Sequence, residues 1–276
     1  MAERSDAPRL RSTRLDGKAI VVTGGTQGLG EAIAGACAEA GARAVCIVGR
    51  DRARGENVAD RLGTLGCEMK FVSADLASEA DCCNVISSAL EWFGTLDGLV
   101  NAAGLTDRGT LEETTVELWD KLFAVNVRAP FILTRELVRA LKSLGKGGSI
   151  VNISSRASHG GMPITMAYST TKGALVTMTK NNANALRAAR VRVNAINMGW
   201  TDTTGERRLR EREGQAPDWF KRVQAQLPFG RLLEPEEIAT LVTYLLSDAT
   251  QMMTGSIIDF DQNVVGTYGS DVQPIY

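Results

Sequence analysis

"KAIVVTGGTQGLGEAIAGACAEAGA", residues 18–42, is the stretch on which the fold turns. Its apolar run, Ala19 to Val22, is short and does not alternate with polar residues. A strand of that kind is buried on both faces. Glycines follow at once. From Leu29 onward the apolar positions recur at helical spacing, and Gly41 stands where a helix would stop. Strand, glycine turn and helix in that order form the opening unit of a parallel sheet with covering helices.

The same rhythm continues along the chain. "RAVCIVG" (43–49), "CEMKFVSADL" (67–76) and "LDGLVNAAG" (96–104) read as further strands. Helices are expected between them, with Asp51 and Ser78 as N-caps. A helical region from Val116 to Leu144 is expected as two helices joined near Asn126. "GSIVNISS" (148–155), "VRVNAINMG" (191–199) and "TGSIIDFD" (254–261) complete the strands. The helix of "MAYSTTKGALVTMTKNNANALRAA" (166–189) and that of "EPEEIATLVTYLLS" (234–247), with Pro235 near its start, lie among them. The expectation is an α/β fold: a single doubly wound, Rossmann-like parallel sheet with helices on both faces. A polar stretch, 200–232, breaks the rhythm and is long for a connection, so a helical substrate lid is expected there. No linker divides the chain. One domain is expected over 16–263, with a flexible arm at 1–15 and a tail at 264–276.

Composition excludes several partners. The net charge is -1, so no global field draws the chain to nucleic acid or to a membrane. No apolar run reaches the length of a membrane span, and the first residues lack the apolar centre of a secretory signal. The five cysteines form no CxxC pair and there is a single histidine, so no zinc site is expected. Most of the cysteines read as small buried hydrophobes in a reducing, cytoplasmic setting.

Gly24, Gly28 and Gly30 sit at the first strand-to-helix junction. Backbone without Cβ atoms can approach a pyrophosphate there, and the helix N-terminus offers free N–H groups and a positive dipole end. A purely structural tight turn is the competing reading, and the spacing is not GxGxxG. The second strand ends "VGRD": Gly49 stands where an acid would hold a ribose 2′-hydroxyl, and Arg50 follows. An arginine suits a 2′-phosphate, so NADP is favoured over NAD. Gln27 in place of a basic residue, and Asp51 one step further on, count against that choice.

"YSTTK" (168–172) places a phenol and an amine at i and i+4, on one helical face. A neighbouring ammonium favours phenolate, so the pair is either an acid–base device or an ordinary helix surface. The set "TGGTQGLG", "NAAG", "NISS" and "YSTTK", in this order, resembles the short-chain dehydrogenase/reductase superfamily from about Asp16 to Gln262. The resemblance implies oxidation or reduction of a CH–OH group with a nicotinamide cofactor. It implies Tyr168 and Lys172 as the catalytic pair, Ser155 as the catalytic serine, and Asn126 as the kink that completes a water relay to the lysine. Around the cofactor it implies Thr26, Gln27 and Leu29 with the three glycines, Asp75 and Leu76 at the adenine, and Asn101, Ala102 and Gly104 along the ribose. Tyr168 and Lys172 also reach the ribose, and Gly199, Thr201 and Thr203 lie toward the nicotinamide. Departures are Ala102 for a second Asn, Met198 for a Pro, and "DQN" (261–263) for a closing DGG.

Arg156, His159 and Trp200 are the substrate-side candidates, each with a structural alternative. "ERRLRERE" (206–213) reads as a solvated helix laced with ion pairs, or as a basic grip on an anion. The small residues Ser169, Thr170 and Gly173 are expected to let the Tyr168 helix approach its surroundings. The expected substrate is a small sugar, polyol or related hydroxylated compound, and the expected assembly a homodimer or homotetramer. A nicotinamide-dependent epimerase or dehydratase, and a catalytically silent cofactor-binding protein, are the alternatives.

Overall fold

The computed structural model describes residues 12–216 and 218–265. Most of the expected arm and tail therefore lies outside the described residues. Seven parallel strands form one sheet: β1 (Ala19–Thr23), β2 (Ala44–Gly49), β3 (Glu68–Ser73), β4 (Gly98–Asn101), β5 (Gly148–Ser155), β6 (Val191–Met198) and β7 (Ile257–Phe260). Their spatial order is β3-β2-β1-β4-β5-β6-β7. The chain runs outward from β1 to β3, returns to place β4 on the other side of β1, and runs outward again. Strand order reverses between β1 and β4, and in such sheets the crevice at the carboxyl ends of those strands is where ligands bind.

Alternation explains the unbroken apolar strands. Ile20, Val22, Val45 and Ile47 point into one core layer, while Ala19, Val21, Ala44, Cys46 and Val48 point into the other. The first layer is closed by α1 (Gly28–Glu39), α2 (Arg52–Gly63) and α9 (Pro235–Leu246); the second by α3 (Glu79–Phe93) and α5 (Ala129–Ser143). Ala183 of α6 (Met166–Ala185) joins the second layer. Cys37 and Cys46 are fully buried in these layers, and burial pushes both thiols up to about 12. They act as the small hydrophobes that the sequence suggests.

The expected caps are present. Asp51 accepts from Arg54 N at 3.0 Å and Ser78 from Asp81 N at 3.2 Å. α4 (Val116–Phe123) meets α5 through a wide π-helical turn, Ala124–Arg128, which carries Asn126. Stretch 200–232 folds as two short helices, α7 (Thr204–Arg212) and α8 (Trp219–Gln224). No helix among the described residues is long and apolar enough to cross a membrane, and no metal-ligating cluster occurs among them.

Candidate active site

A cleft of about 690 Å³ opens at the carboxyl ends of β1 and β4. Gly24, Thr26, Gln27, Gly28, Leu29, Gly30, Arg50, Asp75, Leu76, Ala102, Gly104, Tyr168, Lys172 and Thr203 all line it. The glycine turn is a cradle that other residues would fill. A Cβ on Gly30 would overlap the Gly24 carbonyl oxygen, and one on Gly24 would lie 3.0 Å from Ala103 Cα. Gly24 and Gly28 also adopt positive φ, 70° and 53°. Bared backbone at the start of α1, in a cleft that runs from Arg50 and Asp75 to Tyr168 and Lys172, fits a dinucleotide.

Thr23, which the motif reading left without a role, sets the opposite wall. Its hydroxyl accepts from Ala102 N at 3.0 Å and Ala103 N at 3.1 Å. The end of β1 thus fixes the turn after β4, and Ala102 serves through its backbone, where no side chain is needed. Asn101 is buried behind this turn; its Nδ2 donates to Asn152 Oδ1 at 2.8 Å.

Tyr168 and Lys172 share one face of α6. Lys172 Nζ stands 5.7 Å from the centre of the Tyr168 ring and donates to the Ile153 carbonyl at 2.9 Å. Lys172 is 5% exposed, and burial pulls its ammonium down to about 8. Burial also raises the Tyr168 phenol, more than hydrogen bonding from Ser155 lowers it; Glu206 raises it further and Arg108 lowers it. Burial thus pushes both groups toward their neutral forms. Ser155 ends β5, just behind the cleft-lining Ser154; its Oγ accepts from Ala157 N at 3.1 Å and directs its own proton toward the Tyr168 phenol.

Asn126 reaches the site through backbone. Its Oδ1 accepts from Leu105 N at 2.8 Å, and its Nδ2 donates to Leu105 O at 2.9 Å and Thr171 Oγ1 at 3.1 Å. No direct bond joins Asn126 to Lys172, yet both face one point: a Cβ on Gly104 would lie 3.6 Å from Asn126 Oδ1 and from Lys172 Nζ. Ser169 is buried and Gly173 lies against Ser158 O, but Thr170 is exposed and bonds to Met166 O. Close approach of α6 therefore uses two of the three small residues named for it.

A family model described as enoyl-(acyl carrier protein) reductase matches residues 24–262. An NADP-dependent (R)-specific alcohol dehydrogenase of Lentilactobacillus kefiri is 37% identical over 88% of this chain and 94% of its own. A 2-(S)-hydroxypropyl-CoM dehydrogenase of Xanthobacter autotrophicus is 36% identical over 91% and 97%. The chain belongs to the short-chain dehydrogenase/reductase superfamily. Among solved structures, L-sorbose reductase of Gluconobacter frateurii, complexed with NADPH and L-sorbose, superposes with a TM-score of 0.87 at 29% identity, covering 93% of this chain and 100% of that one. This dehydrogenase/reductase is an oxidoreductase acting on CH–OH groups with a nicotinamide cofactor.

At the outer end of the dehydrogenase cleft, a Cβ on Gly49 would meet Thr26 Cγ2 at 2.6 Å. Thr26 occupies the space an acidic side chain would need. Asp51 is committed to capping α2 and to an ion pair with Arg54 at 3.0 Å. Gln27 Oε1 accepts from Arg54 at 2.6 Å and from Arg208 of the lid at 3.0 Å. The turn lacks a basic residue of its own but gathers two from elsewhere. Sequence spacing gave no signal for Arg208, which lies 181 residues away.

The substrate-side candidates stand apart from the cleft lining. Arg156 is ion-paired with Asp261 at 2.7 Å, and His159 Nε2 lies 2.9 Å from Asp259 Oδ1. Gly199 and Thr201 stand back as well; Thr201 Oγ1 donates to Gly199 O at 3.1 Å. Trp200 packs edge-on against Trp219, with ring centres 5.0 Å apart. The "ERRLRERE" helix is neither wholly solvated nor a free basic grip. Arg210, 6% exposed, sits against both indoles and binds Glu206 and Glu213.

Proposed function

We propose that this enzyme interconverts a secondary alcohol and a ketone on a polar sugar, polyol or related hydroxylated compound, with NADP preferred to NAD. The observation that carries this reading is that Tyr168 and Lys172 line the same cleft as the glycine turn, with the Ser155 side chain hydrogen-bonded to the Tyr168 phenol. The sorbose reductase bound to NADPH and L-sorbose, and the NADP-dependent alcohol dehydrogenase, support the substrate class and cofactor. So do the arginines at Gln27 and the side-chain-free Gly49.

When bound, the cofactor takes or gives the hydride. The chain's own groups hold and move the proton. Tyr168 Oη receives it from the carbinol or returns it to the ketone. Ser155 Oγ–H donates to the substrate oxygen and fixes its orientation. A free phenol titrates near 10, and poising it near 7 takes about 4 kcal/mol. Burial works against that, so the free site favours a protonated phenol, the form that donates in reduction. Lys172 and Asn126 border Gly104, where a water could carry the proton onward.

The test is turnover on a panel of sugars, polyols and ketones with each cofactor, for the native protein and for Tyr168→Phe. The variant is expected to bind NADPH normally and to lose about 10³-fold in kcat. Native-like turnover in the variant would remove Tyr168 from the reaction. Oxidation kcat/KM is expected to rise with pH above neutrality as the raised phenol ionises, while reduction stays level there. A flat oxidation profile would contradict the proton role.

By resemblance we also infer a homodimer or homotetramer. Edge strand β7 leaves Ile257 and Ile258 partly exposed, which is consistent with burial against a second copy. Sedimentation showing monomer alone at micromolar concentration would contradict it.

A further inference from the structure

Glu206, in the first turn of α7, is bound on one side only. Its Oε1 accepts from Trp200 Nε1 at 2.9 Å and from Arg210 Nε at 2.7 Å, with Arg210 Nη2 at 2.5 Å. Arg108, from the loop after β4, approaches the same oxygen at 3.9 Å and Glu213 at 3.4 Å. Oε2 has no partner among the described residues, and it is not among the buried polar atoms that lack one. The carboxylate is thus 14% exposed, held rigidly at one oxygen and open at the other. Its neighbours Thr203 and Gly205 line the cleft. Glu206 itself is not among the lining residues, but it follows Gly205 directly, and it and Arg108 are both close enough to act on the Tyr168 hydroxyl.

The surrounding charges decide what such an oxygen would receive. Glu206 and Glu213 are matched by Arg108 and Arg210, so the cluster has no surplus negative charge to draw an ammonium group. A neutral hydroxyl suits it better, because hydrogen bonds to a charged acceptor are the stronger kind. We propose that Glu206 Oε2 accepts a hydrogen bond from a second hydroxyl of the substrate, close to the reacting carbinol, and so selects diols over mono-alcohols. This rests on the polyol reading above and names the residue that would enforce it.

The experiment compares kcat/KM for 2,3-butanediol and 2-butanol in the native protein, in Glu206→Gln and in Trp200→Phe. Glutamine keeps an oxygen for Trp200 and Arg210 and presents an amide donor in place of Oε2. In Glu206→Gln the diol-to-mono-alcohol ratio is expected to fall about ten- to a hundredfold, chiefly through KM. Trp200→Phe removes a support of Oε1 but leaves Oε2, so the native ratio is expected to persist. An equal fall in both variants would assign the effect to the lid scaffold and overturn the proposal. So would an undiminished ratio in Glu206→Gln, or a native preference for 1-amino-2-propanol over the diol. Native protein that binds NADPH and oxidises neither probe nor any sugar or polyol would overturn the polyol reading, and this inference with it. Thermal unfolding of each variant confirms that a folded lid is being compared.

Discussion

The cofactor cleft and the lid beside it are made of different materials. The cofactor wall is backbone: the Gly24–Gly30 turn, the Thr23 hydroxyl under Ala102 and Ala103, and the ends of strands locked into one sheet. The lid, set back from the lining of that cleft, is held by side chains: Arg210 against two tryptophans, and two arginines paired with two glutamates. Backbone approach tolerates almost no substitution, because an added Cβ has nowhere to go. An ionic cluster can be rebuilt from other residues, and that freedom lets one fold serve different substrates. The contrast predicts that damage to the first abolishes binding and damage to the second redirects it.

Gly30→Val tests the first half of that contrast and carries the largest expected effect. The new side chain collides with the Gly24 carbonyl and Gly25 N, so the turn must open. NADPH affinity, measured by fluorescence titration, is expected to fall more than about 100-fold, in keeping with several lost backbone contacts to phosphate. If the variant bound NADPH normally, the backbone wall would not be the cofactor's cradle.

The same difference explains what could be read in advance. The seven strands, their order of appearance, and the Asp51 and Ser78 caps follow from local pattern, because each is decided within a few residues. Tyr168 and Lys172 are four apart on one helix, so their meeting is also local. The lid escapes such reading. Arg210 looks like one more solvated charge in "ERRLRERE", and only the fold shows it buried against Trp200 and Trp219. Arg156 and His159 have the right position in sequence, but acids from the end of β7, about a hundred residues away, hold them. Long-range pairing between charged side chains leaves no periodic trace in the chain.

Arg208→Ala sharpens the comparison where the two touch. Arg208 is the one residue of the lid helix that hydrogen-bonds Gln27. If it helps to hold a 2′-phosphate, its removal should lower the NADP-to-NAD ratio of kcat/KM by about tenfold, the scale of one exposed charge-assisted contact. An equal loss with both cofactors would make Arg208 a latch for the lid instead.

Lys172→Met, read on stability and not on turnover, carries the smallest effect and isolates the cost of the buried amine. The native ammonium titrates near 8, against about 10.4 in an unfolded chain. Below pH 8 both states hold the proton, and keeping it on the buried amine costs roughly 3 kcal/mol. From about pH 8 to 10.4 the native state loses its proton first. The unfolded state then binds more protons, so native stability rises with pH and the cost fades. Methionine removes the charge but leaves Ile153 O without its donor, which returns about 1 kcal/mol of the gain. Lys172→Met is therefore expected to be inactive yet to melt several degrees higher than native protein at pH 7, at roughly 2–4 °C per kcal/mol. Its advantage should shrink as pH approaches 10. A variant that is less stable at pH 7, or whose advantage grows with pH, would show that the amine is not held against its own burial.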